Sequence, residues 1–141
     1  MADSLELELV SPESLLLSQP VEMVVVPGTE GDFGVLPGHA PLIANIRPGA
    51  LVVFEGGNAA ERFFLAGGFA EVTTERCTIL AEGAMRVADI DRAAVEQEIR
   101  DLREDIAQLA EDADRDAVAA SLAIAEAKLQ ALDAPAYSGV Q

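Results

Sequence analysis

Basic residues, cysteine and histidine are scarce in this sequence, and tryptophan is absent. The 141 residues include nine Lys and Arg against 25 Asp and Glu, which gives a formal net charge of −16. Nucleic-acid sites need clustered Lys and Arg, so this charge argues against phosphate-backbone binding and equally against direct binding to anionic lipid. The single cysteine, Cys77, cannot form an internal disulfide, and its apolar neighbours predict a buried structural thiol.

Long hydrophobic runs are also missing. No apolar stretch approaches the roughly 20 residues that a membrane-spanning helix needs. Met1 to Ser4 contain an acid where a signal peptide has basic and apolar residues, so we expect the chain to remain in the compartment where it is made. Apolar residues nevertheless make up 50% of the chain, which is enough for a packed core.

Catalytic candidates are few. His39 is the only histidine, and Glu30 and Asp32 lie close enough in sequence to orient it as a general base, which gives one hypothesis of a small hydrolase. A nucleophile is missing, because no serine lies in a nucleophile-elbow pattern and Cys77 lies in an apolar strand. A single histidine without further cysteines is also a poor zinc site. We interpret His39 as a turn residue that bonds to backbone, and we expect neither a metal nor a cofactor.

The sequence changes character near Val87. Before this residue, short apolar or alternating runs are separated by turn residues at intervals of roughly ten residues, the spacing of an antiparallel sandwich or barrel. After it, glycine is absent until Gly139, while alanine and acids dominate. We expect an α+β fold, with a β-sandwich over residues 1–87 and a helical unit over 88–141. Predicted strands cover residues 5–9, 15–18, 21–26, 42–46, 50–55, 61–65, 69–73 and 78–82, with a break at 18–20.

The second unit has the periodicity of helices. Apolar residues recur at spacings of three and four on both sides of an acidic segment at residues 111–116, where Asp114 or Asp116 suits a new helix N-terminus. This pattern predicts an antiparallel two-helix hairpin with a narrow apolar seam and a short flexible tail. Its expected seam comprises Val95, Ile99, Leu102, Ile106, Leu109, Val118, Leu122, Ala125, Leu129 and Leu132, and small alanines (Ala117, Ala119, Ala120, Ala123 and Ala127) are expected to allow close approach.

Residues 30–42 are the most restrictive segment of the sequence. Their glycines permit positive φ, and their prolines hold φ at about −65°, so we expect a rigid surface loop without regular secondary structure, as is typical of a contact surface. The segment reads Glu30-Gly31-Asp32-Phe33-Gly34-Val35-Leu36-Pro37-Gly38-His39-Ala40-Pro41-Leu42. Together with residues 43–49 and 64–72, it closely resembles the signature of the epsilon subunit of F-type ATP synthase.

This resemblance implies a non-catalytic subunit of the central stalk, which couples proton-driven rotation of the membrane ring to ATP synthesis. The implied partners are the gamma subunit, the ring subunits and, transiently, the alpha/beta catalytic head. For a bacterial member it implies peripheral attachment at the cytoplasmic face of the inner membrane, through the complex and not through lipid. Carried over to this sequence, Glu30, Gly31, Asp32 and Phe33 would contact the ring loops, and His39, Pro41 and Leu42 would contact gamma.

The resemblance also implies two positions for the hairpin, compact against the sandwich or extended along the stalk, where it blocks ATP hydrolysis. We expect the compact position at rest. Residues 88–141 carry five Lys and Arg against thirteen Asp and Glu, a net charge of −8. An extended arm approaches an acidic loop of the catalytic subunits in this family, so the charge predicts a poor brake on hydrolysis.

Some members of the family bind ATP through an apolar-Asp-x-x-Arg-Ala motif at the start of the first helix. Here Ile90-Asp91 places Ala94 at the arginine position, while a frame that begins at Asp89 restores Arg92 but loses the large apolar residue. Asp89, Asp91 and Arg92 are thus partial candidates for nucleotide binding. The alternative interpretation of either aspartate is a helix cap. Besides the hydrolase, a sandwich and hairpin that serve a different complex is the remaining functional hypothesis.

Overall fold

The structure is a computed structural model that describes residues 4–109 and 113–134. Residues 135–141, at the end of the unit where a short tail was expected, and the first two residues of the acidic segment at 111–116 lie outside these ranges. Within residues 4–109, the chain forms ten strands followed by a short 3-10 helix (Val87–Asp89) and a first α-helix. The strands are β1 (Leu5–Val10), β2 (Leu15–Val21), β3 (Met23–Gly28), β4 (Gly31–Val35), β5 (Leu42–Ile46), β6 (Gly49–Glu55), β7 (Asn58–Leu65), β8 (Gly68–Val72), β9 (Arg76–Ala81) and β10 (Ala84–Arg86).

The strands form one continuous sheet that folds over to make two layers. Their order is β10-β7-β6-β3-β5-β8-β9-β1-β2, and β4 pairs with β3 outside this path. A single residue pair, Gly28 with Ile46, joins β3 to β5 and so links the two layers. The pairs are antiparallel except for β1 and β9, which run parallel. The predicted α+β fold is confirmed, with the correction that one pair of the sandwich is not antiparallel.

The core between the layers follows from the alternation of the strands. In β1, Leu5, Leu7 and Leu9 are fully buried while the intervening Glu6 and Glu8 face outward, as a period of two requires. Both layers contribute side chains to this core. Among the described residues, no charged or polar side chain is buried. The largest fully buried members are Leu5, Leu7, Leu9, Leu51, Leu65, Ile79, Val21, Val24, Val26 and Val35.

Cys77 belongs to the same core. Its side chain has no solvent exposure, and burial raises the pKa of the Cys77 thiol to about 12. A group with so high a pKa stays protonated and unreactive at neutral pH. The prediction of a buried structural thiol is therefore confirmed.

Two predictions about the strands were wrong, and one strand was not predicted. The expected break at residues 18–20 is wrong, because β2 continues through Pro20, which lies opposite Glu6 on a strand that pairs only with β1 and so needs no outward donor. The expectation that residues 30–42 lack regular structure is wrong for Gly31–Val35, which forms β4. Strand β10 was missed because it is only three residues long.

Two helices, α1 (Arg92–Gln108) and α2 (Ala113–Asp133), form the second unit, which we call the arm. Asp91 caps α1, since its side chain accepts a hydrogen bond from the Ala94 N–H at 3.2 Å. Helix α2 begins one residue before Asp114, so Asp114 and Asp116 lie in its first turn. Negative charge in the first turn stabilises a helix because it lies at the positive end of the helix dipole. Neither described helix combines the length and hydropathy that crossing a membrane requires.

The two helices pack on each other and on the outer face of the β6–β7 layer. Phe64 of β7 lies at the centre of this second core, with Val87, Ile90, Val95, Ile99, Ala125 and Ala131 buried around it. Most other seam residues are only half-buried. The assignment of the alanines is mostly wrong: Ala117, Ala119, Ala120 and Ala123 are exposed, whereas Ala125 and Ala131 make the close contacts.

Candidate functional site

A tight turn ends the β3–β4 hairpin and forms a first surface, the hairpin tip (residues 28–33). Gly28 and Gly31 face each other across the two-residue turn Thr29-Glu30, and Gly31 has φ of 127°. A Cβ atom on Gly28 would lie 2.8 Å from the Gly31 carbonyl oxygen and 3.0 Å from the Phe33 ring. The Phe33 ring therefore closes over the backbone of the turn, and the tip has a fixed shape.

The hairpin tip is also tied to the turn between β5 and β6. The backbone N–H of Thr29 donates to the Asn45 oxygen at 3.0 Å, and that of Arg47 donates to the Pro27 oxygen at 2.9 Å. The Arg47 guanidinium adds two further bonds, from Nη1 to the Gly28 oxygen at 2.6 Å and from Nη2 to Asp32 Oδ1 at 2.7 Å. No sequence argument pointed to Arg47, because its partners lie 15 and 19 residues away.

The hairpin tip brings together the four residues that were expected to contact the ring. Glu30, Gly31 and Asp32 are exposed, and Phe33 is partly buried because it packs on the sandwich core. The charged atoms therefore lie at the outer end of a rigid hairpin, where a partner can approach without disturbing the core.

The residues expected to contact gamma lie elsewhere, between β4 and β5. The His39 backbone N–H donates to the Leu36 oxygen at 3.1 Å, and the ring nitrogen Nδ1 lies 2.7 Å from the oxygen of the next residue. Pro41 is exposed, and Leu42 is 38% exposed although it lies opposite the buried Val72. These side chains surround a turn that leads into the outer face of the β5–β8–β9 layer.

That outer face carries an apolar surface that the sequence reasoning missed. The strand registers place Asn45, Phe69, Leu80 and Val10 side by side across β5, β8, β9 and β1, and we call these four residues the outer row. Phe69 is 44% exposed and Leu80 36% exposed, and Ile43, two residues from Asn45 on the same face, is 72% exposed. An open groove of about 700 Å³ runs along the row.

A signal for this surface was present in the sequence. On a strand with one buried face, outward positions are normally polar, and Ile43, Phe69 and Leu80 occupy outward positions of predicted strands. Large apolar residues at such positions on neighbouring strands indicate a surface that another protein covers.

The chain matches two family models over most of its length. Residues 4–87 match the β-sandwich domain of the ATP synthase delta/epsilon chain, and residues 91–137 match the C-terminal domain of the ATP synthase epsilon chain. The ATP synthase epsilon chain of Rhodospirillum centenum is 56% identical over 135 residues, which cover 92% of this chain and 92% of that protein. The chain belongs to the ATP synthase epsilon family.

Further relatives agree with this membership. The epsilon chain of Rhodospirillum rubrum is 49% identical over 131 residues, which cover 93% of this chain and 98% of the relative. A protein in a cryo-EM structure of Euglena gracilis mitochondrial ATP synthase, which comprises OSCP, F1 and the c-ring, superposes with a TM-score of 0.83 at 27% identity, and the match covers 94% of this chain and 83% of that protein. The predicted family is confirmed, and the protein is a non-catalytic subunit of ATP synthase.

The hydrolase hypothesis finds no support in the geometry around His39. The ion pair of Asp32 is with Arg47, and the His39 ring contacts the backbone of its own turn. No group of three or more His, Cys, Asp and Glu side chains within the described ranges is arranged to hold a metal ion. The interpretation of His39 as a turn residue agrees with its contacts.

The nucleotide candidates lie beside an open pocket of about 680 Å³ where the arm begins. Asp91 caps α1, and the Arg92 guanidinium pairs with Asp133 of α2, whose hydrogen bond and charge raise the pKa of Arg92. The pocket itself is lined by four carboxylates, those of Asp89, Asp91, Glu98 and Asp101, and by one cation, Lys128. Because triphosphate is an anion, four carboxylates beside one cation are an unfavourable lining for it.

Proposed function

We propose that this epsilon subunit couples rotation of the membrane ring to the catalytic head as part of the central stalk. The outer row and Ile43 bind the gamma subunit, and the hairpin tip contacts the polar loops of the ring. The observation that carries this proposal is the exposure of Phe69 and Leu80 in the outer row beside the exposed Ile43, because monomeric soluble proteins rarely leave Phe, Leu and Ile together on an open sheet face.

The gamma contact also includes His39, Pro41 and Leu42. These residues lead directly into β5, which contributes Ile43 and Asn45 to the outer face. An apolar centre with the polar side chains of His39 and Asn45 at its border has the composition of a standard protein interface, in which a dry core is surrounded by polar groups. The sandwich core lies directly behind this face and keeps it rigid.

The ring contact is made by Glu30, Gly31, Asp32 and Phe33. The hairpin tip is held by three hydrogen bonds to Asn45 and Arg47, and a fourth joins Arg47 to Pro27 just before the tip, so it binds without a large loss of conformational entropy. Its acids suit a ring loop that carries Arg or Gln. Since Thr29 bonds to Asn45, the tip adjoins the end of the outer row, and one rigid body carries both contacts.

The arm is a weak regulator of ATP hydrolysis in this proposal. Its docked position is held by the second core around Phe64 and by a hydrogen bond of 2.9 Å from Arg62 Nη1 to the Ala131 oxygen. Its net charge of −8 disfavours approach to an acidic loop of the catalytic head. We place the protein at the cytoplasmic face of the bacterial inner membrane, attached only through the complex.

The test compares Ile43→Asp with Ala60→Asp in rebinding to ATP synthase membranes from which the epsilon subunit has been removed. Both side chains are exposed, but Ala60 lies on β7, in the other layer of the sandwich. We expect Ile43→Asp to lower affinity at least tenfold, since it buries a carboxylate in an apolar interface. Ala60→Asp should stay within about twofold of the unaltered protein. Equal binding by both variants would overturn the proposed gamma surface.

Deletion of residues 88–141 tests the role of the arm in the same membranes. If the sandwich carries the coupling, ATP-driven proton pumping survives the deletion and ATP hydrolysis rises less than about twofold. A large rise in hydrolysis would show that the arm is a strong brake despite its charge.

A further inference from the structure

The hairpin tip contains two acids in different electrostatic environments. Asp32 Oδ1 accepts the Arg47 guanidinium at 2.7 Å, and both side chains are about two-fifths exposed, at 40% and 42%. Glu30 lies at the apex of the turn and is exposed, and no ion pair within the described residues involves it. The sequence alone does not distinguish these two acids, whereas the structure shows that, in the part of the chain that it describes, Asp32 forms an ion pair and Glu30 does not.

Arg47 bonds to both strands of the hairpin with one planar group. Nη1 reaches the Gly28 oxygen at the end of β3, while Nη2 reaches Asp32 in β4. Because the guanidinium is a rigid fork, these two bonds fix the position of Asp32 relative to Gly28 across the turn. Lysine has a single ammonium point on a flexible stem and does not hold two acceptors in this geometry.

The backbone of Arg47 belongs to the same connection. Its N–H donates to the Pro27 oxygen, one residue before Gly28, so main chain and side chain of Arg47 bond to consecutive carbonyls of β3. The arginine thereby links the hairpin tip to the sandwich at the point where β5 ends. Its positive charge also cancels most of the field of Asp32 toward an approaching partner, since the two groups are in direct contact.

We infer that Arg47 is a positioning residue for the hairpin tip and that Glu30, not Asp32, supplies the charge that the partner reads. The partner group is a cationic Arg or Lys side chain on a ring loop. Asp32 accepts a hydrogen bond from Arg47 and is the second anchor of the tip. This inference rests on the proposed ring contact, but its structural half is measured on the isolated full-length protein.

The first experiment follows hydrogen exchange of the Thr29 amide in the isolated protein by NMR. This amide donates to Asn45 from within the tip, so it reports on how tightly the tip is held. We expect Asp32→Asn to raise its exchange roughly fivefold, as loss of one exposed charge-assisted bond does, and Arg47→Gln, which also loses the bond to the Gly28 oxygen, to raise it at least as much. The double variant should exchange no faster than the worse single variant, because both single variants lose the bond between Arg47 and Asp32.

Three controls accompany this measurement. Arg47→Lys keeps the charge and should still raise exchange, since lysine lacks the fork. Arg100→Gln removes a positive charge from the exposed surface of α1, where Arg100 bonds only to Gln97, and should change nothing. Glu30→Gln should also leave the Thr29 amide unchanged. Unaltered exchange in Arg47→Gln, or additive effects of Arg47→Gln and Asp32→Asn, would overturn the positioning role.

The second experiment measures rebinding to epsilon-depleted membranes over a range of salt concentrations. We expect Glu30→Gln to lower affinity roughly three- to tenfold at low salt and to reduce the salt dependence of binding, since it removes the charge that faces the partner. Asp32→Asn should lower affinity with the salt dependence nearly unchanged. Glu104→Gln on exposed α1 is the matched control for loss of one carboxylate and should bind normally.

The outcomes separate the two proposals. If Asp32→Asn, and not Glu30→Gln, reduces the salt dependence, the assignment of charge is wrong while the ring contact stands. If every tip variant binds and couples normally, the ring contact itself is wrong, and the charge assignment falls with it. The exchange measurements decide the role of Arg47 in either case.

Discussion

The sandwich and the arm bury their apolar side chains to different degrees. In the sandwich, residues such as Leu7, Leu51 and Ile79 have no solvent exposure. In the arm, Leu102 and Leu122 remain half-buried, and the seam is best closed where it rests on Phe64 of the sandwich. The sandwich is therefore stable through its own core, whereas the arm depends on the sandwich and is the first part to open.

The substitution expected to lower the stability of the sandwich most is Gly68→Ala. Gly68 has φ of 137°, and an added Cβ would lie 2.0 Å from the Leu80 backbone oxygen, which cannot move without parting β8 from β9. We expect a loss of about 4 kcal/mol or more in the free energy of unfolding, from strain and overpacking together. Urea unfolding followed by circular dichroism measures this loss.

Gly57→Ala is the matched control for that substitution. Gly57 also has a positive φ, of 79°, but nothing lies within 4 Å of an added Cβ. It should cost only about 1 kcal/mol, the strain of the backbone conformation alone. If the two variants are equally stable, the close approach of β9 at Gly68 does not exclude a side chain there.

A second variant, Phe64→Ala, separates the arm from the sandwich. Phe64 is 2% exposed, and its ring lies beneath the arm with Lys128 Nζ 5.9 Å from its centre. Its removal should weaken docking by about 3 kcal/mol. Hydrogen exchange of the α1 and α2 amides should then rise about a hundredfold, since each factor of ten corresponds to about 1.4 kcal/mol.

Phe63→Ala provides the comparison for Phe64→Ala. Phe63, the preceding residue of β7, is 5% exposed and belongs to the core between the two layers, whereas Phe64 belongs to the core beneath the arm. We expect it to destabilise the sandwich while the relative protection of α1 and α2 stays the same. Equal exchange of the arm in both variants would show that Phe64 has no special part in docking.

Alkaline pH should lower the stability of the sandwich by a smaller amount, because Cys77 lies in the sandwich core and not in the arm. The folded state raises the pKa of Cys77 from 9.0 to about 12, so the folded protein retains a proton that the unfolded protein loses. The contribution of the thiol is fully present below pH 9 and is lost as pH rises toward 12. The free energy of unfolding should therefore fall by about 1.4 kcal/mol per pH unit above pH 9.

The control for this slope is Cys77→Ala. Its absolute stability is lower because it leaves a small cavity, so the slopes are compared and not the stabilities. Urea unfolding between about pH 8 and pH 10.5 in the presence of a reductant should show a shallower decline for Cys77→Ala. Parallel slopes for the two proteins would mean that the thiol is not protected by burial.

Local sequence patterns predicted those strands and helices whose conformation depends mainly on their own residues. The alternation in residues 5–9 indicated β1, and the spacing of three and four indicated both helices. They failed at β4, because Gly31 and Gly34 lower strand propensity and only pairing with β3 makes the strand. They also failed at Pro20, which is tolerated because β2 lies at an edge of the sheet.

The candidate site likewise has a part that the sequence predicted and a part that it did not. Glu30 to Phe33 are contiguous in sequence, so one motif indicated all of them together. Arg47 was missed because its role depends on bonds to residues that come near it only in the folded sheet. The outer row was missed for the same reason, since Phe69 and Leu80 become neighbours through strand register.

The parallel pairing of β1 with β9 also constrains the order of events during synthesis. Leu7 lies opposite Cys77, and no hairpin connects the two strands. The ribosome must therefore release about 80 residues before the amino-terminal strand finds its second neighbour, and loop closure over that distance is slow. Until then β1 has only β2 to cover one of its edges, and the nascent polypeptide exposes an unpaired edge with three leucines beside it. The arm leaves the ribosome after all ten strands, when the surface on which it packs has already been synthesised.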